Sequence, residues 1–221
     1  MPDSISDTLN ITDRTRLRRA HQRGAFNREA VYAILDAMPM CSVGYVIDGA
    51  PIVMPTIQWR EGDHVYWHAS SAGRGLRAAS EQQVCLTVSL LDSFVLARSA
   101  MHHSADYRSA MVFGQPMHID DPALKADKLK NLIESLYPGR WDSLRPMTDQ
   151  ELKATAVLSL PIEEASAKVR NSGVVDDEDD YDLPIWAGVI PVKTQVMMPQ
   201  ADPRNLVGVA MPDHATSMKI G

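Results

Sequence analysis

The chain has 221 residues, of which 45% are hydrophobic and 23% charged, a balance that excludes disordered and collagen-like chains. Its formal charge is −6, but six of the 28 acids fall in one strip (Asp176, Asp177, Glu178, Asp179, Asp180, Asp182), which leaves 22 charges of each sign elsewhere. Such a body offers no general field for gathering nucleic acid. No apolar run approaches the roughly 18 residues of a spanning helix, and the first thirty residues hold arginines without an apolar segment, so the N-terminus does not read as a secretory signal. The expectation is a cytoplasmic protein with neither a membrane nor a nucleic-acid partner. Cys41 and Cys85 sit among apolar and β-branched residues and read as small buried hydrophobes.

Residues 1–24 are polar and arginine-rich, predicting an arm that is ordered where it docks. The main domain is placed at 25–195, with the acidic linker 176–182 inside it, and a loose tail at 196–221. Asn27 can cap a helix to about Met38, whose apolar face carries Val31, Ile34 and Leu35, and Pro39 ends it. Strands follow at 41–47, 51–59 and 64–69, joined by turns at Asp48-Gly49 and Glu61-Gly62-Asp63. Ser70 to Ser80 is read as a turn opening a short helix through Leu76 and Ala79. Further strands are expected at 84–90 and 94–99, with a turn at Asp92-Ser93, and one long strand at 107–119. Asp121-Pro122 starts a helix to about Leu136, Thr148 and Glu151 have capping-box spacing, and strands at 156–161 and 184–192 flank the acidic strip. Short strands with few helices predict a mainly β, nearly closed antiparallel barrel with helices over its ends.

Two segments could carry chemistry. In 65–77 a strand delivers His68, Ser70, Ser71, Gly73, Arg74, Gly75 and Arg77 into the first turn of a helix, where hydroxyls, close backbone and arginines suit a phosphate. A capped surface turn with solvated arginines would look the same. In 97–114, His102, His103, Ser104, Tyr107, Arg108 and Ser109 crowd donors at the start of an apolar strand, with Tyr107 and Ser109 on one face and Arg108 on the other. A zinc set from His68, His102, His103 and His118 lacks a matching motif, and Ser104, His103 and Asp106 lack a nucleophile elbow, so no metal site and no hydrolase is read here.

Together PIVMPT, VYWHASSAGRGLRA, ARSAMHHSADYRSAMVFGQ, SLPIEEASAKVR and LPIWAGVIP resemble the flavin-nucleotide-binding branch of the pyridoxamine 5′-phosphate oxidase superfamily, which includes proteins associated with 5-nitroimidazole resistance. The resemblance spans about 19–191. It implies the FMN-binding split barrel, a six-stranded antiparallel Greek-key barrel acting as a homodimer with flavin in clefts at the interface. FMN is the cofactor implied, with FAD as an alternative; related barrels also take F420 or haem. By resemblance, Met54, Pro55 and Thr56 border the flavin ring. His68, Ser70, Ser71, Arg74 and Arg77 form the cofactor strand and phosphate turn, with His68 as the catalytic proton donor. His103, Ser104, Tyr107, Arg108 and Ser109 lie near the flavin, within the subunit or across the dimer. Trp186 matches an aromatic near the cleft, or is ordinary packing. The C-terminus lacks the arginine-bearing segment of the classical oxidases, its one Lys or Arg after 204 being Lys219. The implied function is therefore a flavoprotein oxidoreductase acting on a small planar acceptor, nitroreductase-like, with a flavin carrier or sensor, or a true pyridoxamine phosphate oxidase, as alternatives.

Overall fold

The computed structural model describes residues 7–19 and 21–221, and the backbone alone at 74 and 77. The expected arm at residues 1–6 and at Ala20, and the Arg74 and Arg77 side chains, lie outside the described residues. Along the arm, the Leu9 amide donates to the Phe26 carbonyl at 2.7 Å, and Arg14 and Thr12 both reach the Glu164 carboxylate. The described part of the arm thus docks on the sheet, where Glu164 presents a carboxylate with no competing cation among the described residues.

In chain order the strands are β1 (Gly24–Ala25), β2 (Met40–Ile47), β3 (Ala50–Glu61), β4 (His64–Ser70), β5 (Val84–Leu96), β6 (Ser104–Gly114), β7 (Met117–His118), β8 (Thr155–Pro161), β9 (Glu164–Arg170) and β10 (Gly188–Pro191). The helices are α1 (Arg28–Ala37), α2 (Arg74–Ser80), α3 (Pro122–Leu136) and α4 (Asp149–Ala154). Asn27 caps α1 by accepting from the Ala30 amide, Asp121 caps α3, and Thr148 with Glu151 completes the capping box of α4. The β2–β3 turn holds Asp48 at φ 49° and Gly49 at φ 78°, the left-handed pair that a two-residue hairpin requires.

The ten strands form one antiparallel path, β1-β9-β6-β5-β2-β3-β4-β8-β7, with β10 beside β5. The fold is mainly β with few helices, as expected, but among the described residues the sheet has ten strands, nine of them along a path whose ends do not pair, in place of the six of the implied split barrel. Three boundaries differ from the sequence reading. Residues 84–96 are one strand, because Asp92 and Ser93 sit at a register shift and their side chains are taken by Arg108 and Asp106. The stretch 107–119 breaks after Gly114, because Pro116 has no amide to donate to a ladder. The segment SLPIEEASAKVR is two strands that do not pair with each other: β8 joins β4 and β7, while β9 joins β6 and β1.

That crossing folds the sheet around a single core. Val43, Val65, Trp67, Leu86, Val112, Leu158, Leu160 and Ala167 meet inside. On the outer face of β4 and β8 a second cluster, Trp59, Tyr66, Leu132 and Val157, is roofed by α3. At the mouth of the sheet, Asp106 accepts from Arg170 and from Ser93 (2.9 Å), and Arg170 also donates to the Gly173 carbonyl at 2.9 Å. No helix among the described residues is long and apolar enough to cross a membrane.

Candidate functional site

β4 is the wall between two cavities. Strand alternation sends Val65 and Trp67 inward and Tyr66 and His68 outward, as the core clusters confirm: Val65 and Trp67 lie in the inner core, and Tyr66 in the outer one beside Val157, the residue paired with His68.

The first cavity, of about 300 Å³, opens between β3, the end of β4 and α2. It is bordered by Met54, Pro55, Thr56, Trp67, Ser70 and Gly73, among others, and is mostly apolar with hydroxyls at one end. Thr56 Oγ1 donates to the His68 carbonyl at 3.4 Å and so ties β3 to β4 along this wall. The turn that follows is tight: the Gly73 amide donates to the Ser70 carbonyl at 2.9 Å, and the Ser71 amide to the Ala154 carbonyl at 2.9 Å. Gly75 has a spatial reason to be glycine, since a Cβ there would come within 2.3 Å of the Tyr45 hydroxyl. Its absence lets α2 sit directly over the cavity floor.

The second cavity, of about 530 Å³, lies on the other side of β4, under α3 and the segment leading into α4. Leu132, Ile133, Trp141, Leu144 and Met147 wall it, Arg145 and Glu151 stand at its edge, and His68 lines both cavities. Both volumes fall in the range of ligand sites, about 300–1,000 Å³. His68 is half-buried, and burial pushes its imidazole below the usual histidine value, favouring the neutral ring. Its Nδ1 is covered by protein and has no hydrogen-bond partner among the described residues. Glu151 is held down to about 2 by Arg145 and by the Thr148 amide and hydroxyl.

The structure divides the residues named from the sequence into two groups. Met54, Pro55, Thr56, His68 and Ser70 come together around the first cavity, while the Ser71 side chain is not among its borders. His103, Ser104, Tyr107, Arg108 and Ser109 do not join them within one chain. They lie at the start of β6, with β5 and β2 between it and β3, where His103 Nδ1 meets the Ser99 carbonyl at 2.9 Å and Arg108 grips Asp92 at 2.8 Å. Trp186 is 71% exposed and lies against Gly188, so it is not core packing. Among the described residues the four histidines weighed for zinc form no common ligand group; His102 instead approaches Asp176 at 3.5 Å, beside Asp177 and Asp180. The second cavity was not read from sequence. Its signal was the parity of His68 with Tyr66, together with an apolar face on α3 wider than a single sheet contact needs.

A family model described as pyridoxamine 5′-phosphate oxidase matches residues 27–169, almost all of this architecture. The chain belongs to that family. The chain is 50% identical to the flavocytochrome Anf3 from Azotobacter vinelandii, covering 95% of this chain and 98% of that one, with a TM-score of 0.93. It is 34% identical to the FAD and heme binding protein from Mycobacterium smegmatis, covering 89% and 97%, with a TM-score of 0.85. A putative 5-nitroimidazole antibiotic resistance protein from Bacteroides thetaiotaomicron, 22% identical over 66% of this chain and 86% of that one, shares the fold at a TM-score of 0.56. No curated protein matches the chain.

Proposed function

We propose that this family member is a two-cofactor redox protein that holds a flavin in the first cavity and a haem in the second, and passes electrons on to a small acceptor. The observation that carries the reading is the pair of cavities on opposite faces of one strand. The names of the flavocytochrome and of the FAD and heme binding protein support it, and the second name favours FAD over FMN. In the first cavity the backbone of Met54–Thr56 borders the ring, and Ser70 with the Gly73 turn lies at the polar end, where a phosphate has donors. The second cavity fits a planar, largely apolar group: its walls are aliphatic and aromatic, and at the rim Arg145, paired with Glu151, is the cation that an acidic substituent would meet. When bound, the flavin supplies hydride and electron transfer, and the haem single-electron chemistry. The chain's own part is to separate the two by one strand, to exclude water with Trp67 on one side and Leu132 on the other, and to offer a neutral imidazole at the wall.

The same proposal includes a homodimer, with the second copy completing the flavin cleft. Met54 at the cavity mouth, Phe94 and Trp186, and the tail residues Met197, Met198, Leu206, Val207 and Met211 are all exposed, more apolar surface than an isolated chain ordinarily leaves in water. The second motif, remote from the cavity in one chain, would then reach it from the partner.

The test is an absorbance spectrum of the purified protein, followed by extraction of what it carries. Flavin bands together with a Soret band, FAD in the extract and a dimer by light scattering are expected. A colourless protein that takes up neither added FAD nor added FMN refutes the reading. Oxidation of a reduced nicotinamide or reduction of a nitroaromatic separates a turning-over enzyme from a carrier.

A further inference from the structure

The proposed haem needs an axial ligand, and that choice can be made from side chains alone. We infer that His68 is the protein ligand to the iron of a haem in the second cavity, and that the same residue, through its backbone, forms the wall of the flavin cavity. The inference rests on the two-cofactor reading and adds the residue that links the two sites.

Three observations lead to it. Alternation along β4 and the pairing of His68 with Val157 put the imidazole on the face covered by α3. His68 is the histidine that borders this cavity; His64 and His118 lie elsewhere on β4 and β7, with the His118 ring held at 2.6 Å by Asp120. No described residue partners the His68 Nδ1, and because that atom is covered by protein, Nε2 is the nitrogen that a ligand in the cavity reaches.

The chemistry around His68 selects the occupant. Leu132, Ile133 and Trp141 exclude a hydrated divalent ion, which would ask for oxygen ligands, and no second histidine or cysteine faces the cavity to build a zinc site. One imidazole and an apolar slot, with the Arg145–Glu151 pair at its rim, match an iron porphyrin, which would bring its other ligands with it. On the opposite side of the same residue, the His68 carbonyl accepts from Thr56 at the flavin cavity. The two proposed cofactors would therefore be bridged by His68 alone, its imidazole toward the iron and its backbone toward the flavin.

The experiment compares wild type, His68→Gly, His68→Gln and the control His118→Gln. Each is loaded with FAD, checked by circular dichroism for native fold, and titrated with hemin. Wild type and His118→Gln are expected to give the same Soret position. His68→Gln should show a shifted Soret band and an affinity at least tenfold lower, and in His68→Gly added imidazole should restore the wild-type spectrum. Flavin absorbance should stay near one equivalent in every protein that folds. If wild type binds hemin and both His68 variants keep its spectrum, the ligand assignment is wrong while the two-cofactor reading stands. If wild type binds FAD but no hemin, the haem half of the reading falls, and this assignment with it. Should His68→Gly not fold, His68→Gln alone decides by the same spectral criterion.

Discussion

Removing Asp106 tests whether the sheet mouth is held by a buried ion pair. The Arg170 and Asp106 side chains are only 4% and 11% exposed, and Ser93 and the Gly173 carbonyl complete their hydrogen bonds. Asp106→Ala leaves the guanidinium buried with the Gly173 carbonyl as its remaining acceptor, and it strips the Ser93 hydroxyl of its acceptor. Breaking one partner of such a pair costs about 3–5 kcal/mol. With an unfolding entropy of about 2.1 cal/mol/K per residue over this chain, that is a fall of about 6–11 °C in Tm. The control is Asp36→Ala. Asp36 receives Arg60 at 2.6 Å, but its side chain is 49% exposed, and an exposed pair contributes about 0.2–1 kcal/mol, under about 2 °C. Differential scanning calorimetry of both variants, with Asp106→Leu/Arg170→Met as a third, measures the contrast. If Asp106→Ala loses no more than Asp36→Ala, the pair does not hold the mouth. If the double variant is as unstable as Asp106→Ala alone, the penalty is not that of an orphaned charge.

Further perturbations address the cavities and the arm. Gly75→Val should push α2 off the Tyr45 hydroxyl, costing about 1–3 kcal/mol, and should weaken FAD retention measured by fluorescence; unchanged retention would separate α2 from the flavin cavity. Gln58→Leu removes the buried amide that donates to the Leu35 and Met38 carbonyls at 2.6 and 2.9 Å, and should cost about 1–3 kcal/mol in urea unfolding, against none if α1 ends without it. Arg14 and Thr12 hold Glu164 below its ordinary value of 4.5. A carboxylate depressed in the folded state contributes fully above its unfolded value and loses that contribution as pH falls through the folded one. Arm cleavage by an acid-tolerant protease should therefore rise below about pH 4 in wild type, and in Glu164→Gln should already be high at pH 7. For His68 the sign is the same for a different reason: its folded value lies below 6.5, so the unfolded chain takes up the proton first. Stability should fall as pH drops below about 6.5, and this slope should vanish in His68→Gln.

Much of this was legible in the sequence, because the signals were local. Asn27, Asp121-Pro122 and Thr148 with Glu151 each mark a helix start by a side chain within three residues of the amide it caps. Asp48-Gly49 marks a hairpin by backbone preference alone. Residues whose meaning depends on a distant partner were misread. Asp92-Ser93 has turn composition, but Arg108 and Asp106 take its polar groups from the neighbouring strand and keep the ladder running. The break at Pro161–Glu163 was hidden because β8 and β9 find their partners elsewhere in the chain. The first cavity was read through Ser70 and Gly73. The second was not, since its walls come from α3 and the approach to α4, more than sixty residues beyond His68.

The Gly62-Asp63 turn, with Gly62 at φ 55°, fixes the pairing of Glu61 with His64 and so the phase of every residue along β4. A slip of one residue would send each side chain to the opposite face: Trp67 would leave the core for the α3 side, and His68 would enter the core. Which compartment receives the imidazole is thus decided by the length of a two-residue loop at the far end of the strand. A chain of the same composition with one residue more in that turn, and no bulge to absorb it, would keep both compartments and exchange their contents.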